Sequence, residues 1–177
     1  MITRRQLLKL FAWAVGGAGS GDTIVSFSNS ISPRGIVIHH SALPMNEGLY
    51  EIEKRHISRG FGAFYWWRVY HIGYHYVICA NGEIVGTRPE HLRGAHAKGA
   101  NDMIGICILG DFDSSAGNML PTRSQMKSAE ALCRALLKKY RIESHLIFRH
   151  SDIDDYTVCP GDHFPFDQLV GAIRERT

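Results

Sequence analysis

The sequence predicts a mixed fold, of the α/β or α+β class, in which helices pack against a central β-sheet. Short β-branched segments alternate with amphipathic segments along the chain, which is the element order expected for that class. The 177 residues, 45% hydrophobic and 21% charged, suffice for one globular domain with a core but not for two. No internal repeat or low-complexity block divides them, so we expect a single compact domain.

Several segments predict the strands of the sheet. Ile36 to Ile38 form a β-branched run that ends in His39 and His40. Asn81-Gly82 predicts a hairpin with a tight primed turn. The remaining strand predictions are Tyr74 to Cys79 and Glu83 to Thr87 on either side of that turn, Met103 to Leu109, and Leu146 to Phe148.

Three segments predict helices. Leu49, Ile52, His56 and Ile57 follow helical spacing and end at Gly60. Thr122 to Gln125 has the form of a capping box that opens a second helix, and a third closes the chain. The apolar positions of these last two helices are Met126, Ala129, Cys133, Leu136, Leu137 and Tyr140, then Phe166, Leu169, Val170 and Ile173. The aromatic segment from Phe61 to Tyr70 fits neither period, and we interpret it as a loop.

The positive charge of the chain is concentrated at its N-terminus. Residues 1–21 contain Arg4, Arg5 and Lys9 and no acidic residue, which leaves 17 basic against 17 acidic residues in the remainder. A nucleic-acid-binding domain normally carries a basic surface, so we expect no nucleic-acid partner.

Residues 1–21 resemble a twin-arginine export leader, because Arg4-Arg5 precede a short apolar run. That run is far shorter than the ~20 residues of a membrane span. We therefore expect a leader over 1–21, a linker over 22–33 and a domain over 34–177, exported to the periplasm or secreted. The alternative is an N-terminal helix that packs on the domain; cell fractionation after replacing both arginines with lysine distinguishes the two.

Two histidines and a cysteine stand at positions suited to a metal. His39 and His150 each follow a predicted strand, and Cys159 comes nine positions after His150. A single histidine is commonly a structural residue, but two imidazoles and a thiolate form a three-ligand zinc site with an open fourth position. Such a site is typical of catalytic zinc, at one ion per chain. With Cys159 as a ligand, at most one disulfide remains for Cys79, Cys107 and Cys133, all of which we expect to be buried and free.

The chain resembles the family of zinc-dependent N-acetylmuramoyl-L-alanine amidases, which includes amidase-type phage lysozymes and animal peptidoglycan recognition proteins. The motifs that carry the resemblance occur in family order from about residue 34 to the C-terminus. They are Ile36 to Ala42, His56 to Gly60, Ile72 to Tyr76, Gly94 to Gly99 with Asn101, Ile104 to Ile106 with Gly110, His150 to Ile153, and Cys159 to Gly161.

The resemblance implies a mixed sheet with zinc in a groove at one end, and cleavage of the amide bond between N-acetylmuramic acid and L-alanine. It implies that His39, His150 and Cys159 are the ligands and that His40 is not. Tyr74 matches the catalytic tyrosine, and Thr157 lies where phage lysozymes have a lysine and active recognition proteins a threonine. Two departures affect the match. The segment between His150 and Cys159 is one residue longer than expected, and the aromatic segment 61–70 is also extended.

For several other residues the sequence allows either contact with substrate or a structural role. His96 and Asn101 lie in a glycine-rich loop that could contact substrate, whereas His75 points away from Tyr74 by strand alternation and is expected to be structural. Tyr74 itself could be an ordinary strand aromatic. Trp66 and Trp67 could stack on sugar rings or anchor a packed loop.

The expected partner is peptidoglycan or a muropeptide, with no membrane span. One alternative is a recognition module that binds peptidoglycan without cutting it, but such proteins typically lack the cysteine that Cys159 supplies here. Another is the cytosolic recycling amidase, which has aspartate as its third ligand. A phage or prophage lysin, held in the host cytoplasm before lysis, is a third possibility that concerns role rather than reaction.

Overall fold

The computed structural model describes residues 26–27 and 30–175. Within them lie eight strands and three α-helices. The strands are β1 Ser26–Phe27, β2 Ile36–His40, β3 Ala63–Tyr65, β4 Arg68–Tyr70, β5 Tyr76–Ile78, β6 Ile84–Gly86, β7 Ile104–Ile108 and β8 Ile147–Arg149. The helices are α1 Leu49–Ser58, α2 Arg123–Tyr140 and α3 Phe166–Arg174. The predicted mixed fold with a central sheet and flanking helices is confirmed.

The central sheet has the strand order β6-β5-β7-β2-β8. All neighbours are parallel except the edge pair β5 and β6. Every residue of β2 and β7 is buried, as expected for parallel strands covered on both faces.

Strand alternation divides the sheet into two faces with different neighbours. In β2, β5 and β7 the even-numbered residues, such as Ile38 and Ile106, pack against α2 and α3, and Ile147 of β8 lies on the same face. On the odd-numbered face, Val77 and Cys107 pack with Ile52 of α1. His39 belongs to this second face, so it points toward the α1 side of the sheet.

Helix α2 begins at the predicted capping box. Thr122 accepts a hydrogen bond from the N–H of Gln125, and the Gln125 side chain accepts one from the N–H of Thr122. The buried Gln125 amide also donates to the carbonyls of Ile78 and Leu109, which fixes the helix start to two strands.

The interpretation of Phe61 to Tyr70 as a loop is wrong. The segment contains an antiparallel hairpin in which β3 pairs with β4 and Trp66-Trp67 form the turn. Both tryptophans have positive φ (47° and 63°), where turns usually place asparagine or glycine. Because the turn carries no such residue and each strand has only three residues, the sequence pattern concealed the hairpin.

The second hairpin, β5–β6, is confirmed, but its turn differs from the primed type that was expected. Gly82 has positive φ (89°), whereas Asn81 does not, and the Asn81 side chain accepts the N–H of Glu83. An asparagine in this position stabilises the turn through its side chain rather than through its backbone conformation.

Residues 26–27, within the predicted linker, pair in parallel with β3. The predicted leader over 1–21 lies outside the described residues. In the part of the chain that is described, no helix has the length and apolar character needed to cross a membrane. The four cysteines all fall within that part and are free, with Cys107 and Cys133 buried and Cys79 half-buried.

Candidate active site

The three predicted metal ligands meet at one edge of the sheet. Strands β2 and β8 are parallel neighbours with Ile38 in register with Arg149, so His39 and His150 emerge side by side. The ligand atoms of His39, His150 and Cys159 all lie within 4.8 Å of one another. The Sγ atom of Cys159 is 3.7 Å from Nδ1 of His39. Although the three residues are distant in sequence, their ligand atoms are therefore close enough together to bind one metal ion.

His40 takes no part in this cluster through its side chain. Its Nδ1 atom accepts a hydrogen bond from the N–H of Phe112 on the opposite face of the sheet. Its backbone N–H donates to Cys159 Sγ at 3.3 Å. A donor in this position favours a thiolate at Cys159. The side chain of His39, and not that of His40, faces Cys159.

A chain of hydrogen bonds fixes the tautomer of His39. The Met103 carbonyl can only accept, so Nε2 of His96 donates to it at 3.1 Å. In neutral His96, Nδ1 is then an acceptor, and Nε2–H of His39 donates to it at 3.0 Å. This leaves Nδ1 of His39 with a free lone pair facing Cys159, which is the form that binds a metal.

The His96 ring occupies space that two glycines leave open. A Cβ atom at Gly94 or Gly105 would lie 2.4 or 2.5 Å from Cδ2 of His96. The Asn101 side-chain oxygen accepts the backbone N–H groups of His96 and Ala97, which holds the loop in place. His96 and Asn101 are thus brought together, with these polar atoms engaged inside the protein.

Burial determines the protonation of the cluster in the absence of a cation. Loss of hydration lowers the pKa of His39 well below its usual value, and that of His96 to about 3. Burial also raises the pKa of the Cys159 thiol to about 12. Burial also lowers the pKa of His150. The neutral imidazoles of His39 and His150, together with a thiol that needs a positive partner to ionise, are a donor set that fits Zn²⁺.

Tyr74 and Thr157 border the same space. The Tyr74 ring centroid lies 5.1 Å from that of His39. Burial, reinforced by Cys107 and Cys159, raises the pKa of Tyr74 well above 10, so the phenol keeps its proton at neutral pH. Thr157 Oγ1 accepts the N–H of Cys159 at 3.2 Å, which leaves its own hydroxyl proton free to donate.

The cluster opens into a cavity of about 210 Å³. Sequence analysis missed part of its wall, which is formed by Arg55, His56, Arg59 and Phe61. Arg55, His56 and Arg59 follow Ile52 by three, four and seven residues, which is the spacing of one helical face, and that signal could have found them. The His56 pKa falls to about 4, chiefly through burial, and its Nδ1 accepts the N–H of Gly73.

A three-ligand cluster with a protonated phenol beside it, in an open groove, is typical of metal-assisted hydrolases. The sequence profile of the N-acetylmuramoyl-L-alanine amidase family matches residues 29–162. The chain belongs to this family and is an N-acetylmuramoyl-L-alanine amidase.

Individual relatives agree with that assignment. The endolysins of Enterobacteria phage T3 and Escherichia phage T7 are each 32% identical over 142 residues, which cover 77% of this chain and 85% of theirs. The solved N-acetylmuramoyl-L-alanine amidase LysC from Clostridium intestinale URNW is 35% identical with a TM-score of 0.68, over 81% of this chain and 87% of that one. The Drosophila peptidoglycan recognition protein SD, 22% identical with a TM-score of 0.61 over 81% and 86% of the two chains, shares the fold.

Proposed function

We propose that this amidase depends on one zinc ion held by His39, His150 and Cys159, and that it cleaves the bond between N-acetylmuramic acid and L-alanine. The observation that carries the proposal is the convergence of the three ligand atoms within 4.8 Å. The fixed tautomer of His39 adds to it, because its metal-binding nitrogen already faces Cys159.

The chemistry that zinc supplies is activation of water near neutral pH and polarisation of the scissile carbonyl. The Tyr74 phenol, uncharged at pH 7, donates a hydrogen bond toward the oxygen or nitrogen that gains charge as the amide breaks. Thr157 is a poor base and contributes a neutral hydroxyl donor next to Cys159. Arg55 and Arg59 give the groove wall a positive charge that suits the carboxylates of a stem peptide.

The presence of Cys159 in the cluster argues against a non-catalytic recognition module and against the recycling type with aspartate. Endolysin relatives favour a lytic role, in which the enzyme would stay in the host cytoplasm until lysis. Export through the leader stays a prediction from Arg4 and Arg5.

Digestion of purified peptidoglycan tests the proposed bond. We expect mass spectrometry to find free stem peptides that begin with L-alanine, together with intact glycan strands. Chelation should stop their release, and added zinc should restore it. Binding to peptidoglycan without release of peptides would favour the recognition module instead.

We further propose that His96 positions His39 for the metal; its contact with substrate stays a prediction, as does that of Asn101. His96→Ala removes the acceptor for Nε2–H of His39 and should weaken zinc binding about 10- to 100-fold. His96→Asn retains an acceptor and should recover part of the affinity. Competition with a chromogenic chelator measures both.

Replacement of the exposed His145 by alanine is the control for this experiment and should leave zinc affinity unchanged. If His96→Ala binds zinc as tightly as the wild type, His96 does not orient the ligand.

A further inference from the structure

The tip of the β3–β4 hairpin exposes two adjacent indoles. Trp66 and Trp67 are 78% and 79% accessible, so neither acts as the packed anchor that the sequence allowed. Both have positive φ, a conformation that is unfavourable for a bulky side chain. Since Asn-Gly would form this turn more readily, stability of the hairpin does not account for two tryptophans here.

The two indoles extend aromatic surfaces on opposite sides of the hairpin. Trp67 contacts Phe64 edge-on, with ring centroids 6.3 Å apart, and lies on the same side as the exposed Val69. Trp66 lies 6.4 Å from Tyr65, whose ring contacts His91. The tip therefore presents apolar aromatic faces to solvent.

The base of the same hairpin is part of the catalytic groove. Phe61 lines the cavity and contacts the His56 ring at 5.0 Å. The His71 side chain donates from Nδ1 to the Phe61 carbonyl, which closes the hairpin base. Each strand has three residues, so the tip lies roughly 10 Å from the hairpin base. A hairpin rooted in the groove wall is within reach of a polymeric substrate that extends beyond the cavity.

We propose that Trp66 and Trp67 form a saccharide-binding site for the glycan strand of peptidoglycan, separate from the cavity where the amide is cut. The proposal rests on the amidase function proposed above. The C–H bonds of a pyranose ring form an apolar face that stacks on the electron-rich face of an indole. Arg68, exposed beside the tip, supplies donors for sugar hydroxyl and acetamido oxygens. The hairpin's continuity with the groove wall favours a glycan over a lipid surface.

A double variant, Trp66→Asn with Trp67→Gly, tests the site without disrupting the hairpin, because Asn-Gly is the preferred pair for this turn. Sedimentation with intact sacculi in the cold should show affinity about tenfold below the wild type. Release of the dipeptide that begins with L-alanine from a soluble muramoyl dipeptide should be unchanged, since that substrate is too small to reach the tip. Leu120→Ala removes another exposed apolar side chain, 63% accessible, elsewhere on the surface and should change neither measurement.

Equal sacculus affinity in the variant and the wild type would overturn the proposal. So would binding of the wild type to vesicles of phosphatidylglycerol and phosphatidylethanolamine that the variant loses, because the tip would then bind lipid. Failure of the wild type to cleave the soluble substrate would contradict the proposed amide cleavage. The sedimentation result would still decide whether the hairpin binds glycan.

Discussion

Replacing Cys159 with alanine should abolish zinc binding and reduce amidase activity by on the order of 10³-fold or more, because two imidazoles alone hold zinc weakly and no longer place it in the groove. His39→Ala should have the same effect, since both residues contribute to one cluster. Metal analysis of the purified variants, together with peptide release from peptidoglycan, measures the two losses.

Cys133→Ala is a matched control for these variants. Cys133 is a fully buried core cysteine within helix α2, away from the cluster. Its removal should lower the free energy of unfolding by about 1 kcal/mol while zinc content and activity persist. Full zinc and full activity in both Cys159→Ala and His39→Ala would disprove the assignment of these ligands.

Tyr74→Phe should keep zinc and the fold but lower the turnover rate about 10²-fold, as expected when a hydroxyl that stabilises developing charge is removed. The ring remains and preserves the contacts with His39 and His56. Turnover of a soluble muramoyl peptide, measured beside zinc content, separates a chemical role from metal binding.

Tyr76→Phe provides the comparison two residues further along the chain. The Tyr76 hydroxyl donates to Glu90, outside the groove, so its loss should leave turnover close to that of the wild type. If the Tyr74→Phe variant turns over substrate as fast as the wild type, Tyr74 has only a packing role.

The sequence predicted most of the central sheet and the residues that cluster at its edge. Buried β-branched runs located β2 and β7. Of the two predicted ligand histidines, His39 lies near the end of β2 and His150 directly follows β8. Helix α2 was predicted from a local signal, the capping box, which acts within four residues and so needs no knowledge of tertiary structure.

What the sequence did not predict depends on contacts between distant segments. The role proposed for His96 rests on its position between His39 and Met103, which only the folded sheet brings together. Arg55 and Arg59 became groove residues once α1 packed on the odd-numbered face. The β3–β4 hairpin was not predicted, because its turn has tryptophans where turns of this kind usually have asparagine or glycine.

Two buried histidines, His56 in the groove wall and His75 beside His96, also set an acid limit for this enzyme. His56 and His75 each use Nδ1 to accept a backbone N–H, and burial lowers the pKa of each to about 4. An unfolded chain takes up these protons near pH 6.5, so the stability present above that pH is lost as the pH falls toward 4. At that pH each residue has lowered the free energy of unfolding by about 3 kcal/mol.

Urea unfolding across this pH window should show the decline in stability. A His56→Gln variant, which cannot take up the proton, should show a shallower decline. Acid would therefore disable this amidase by loosening its fold even where the chemistry could continue.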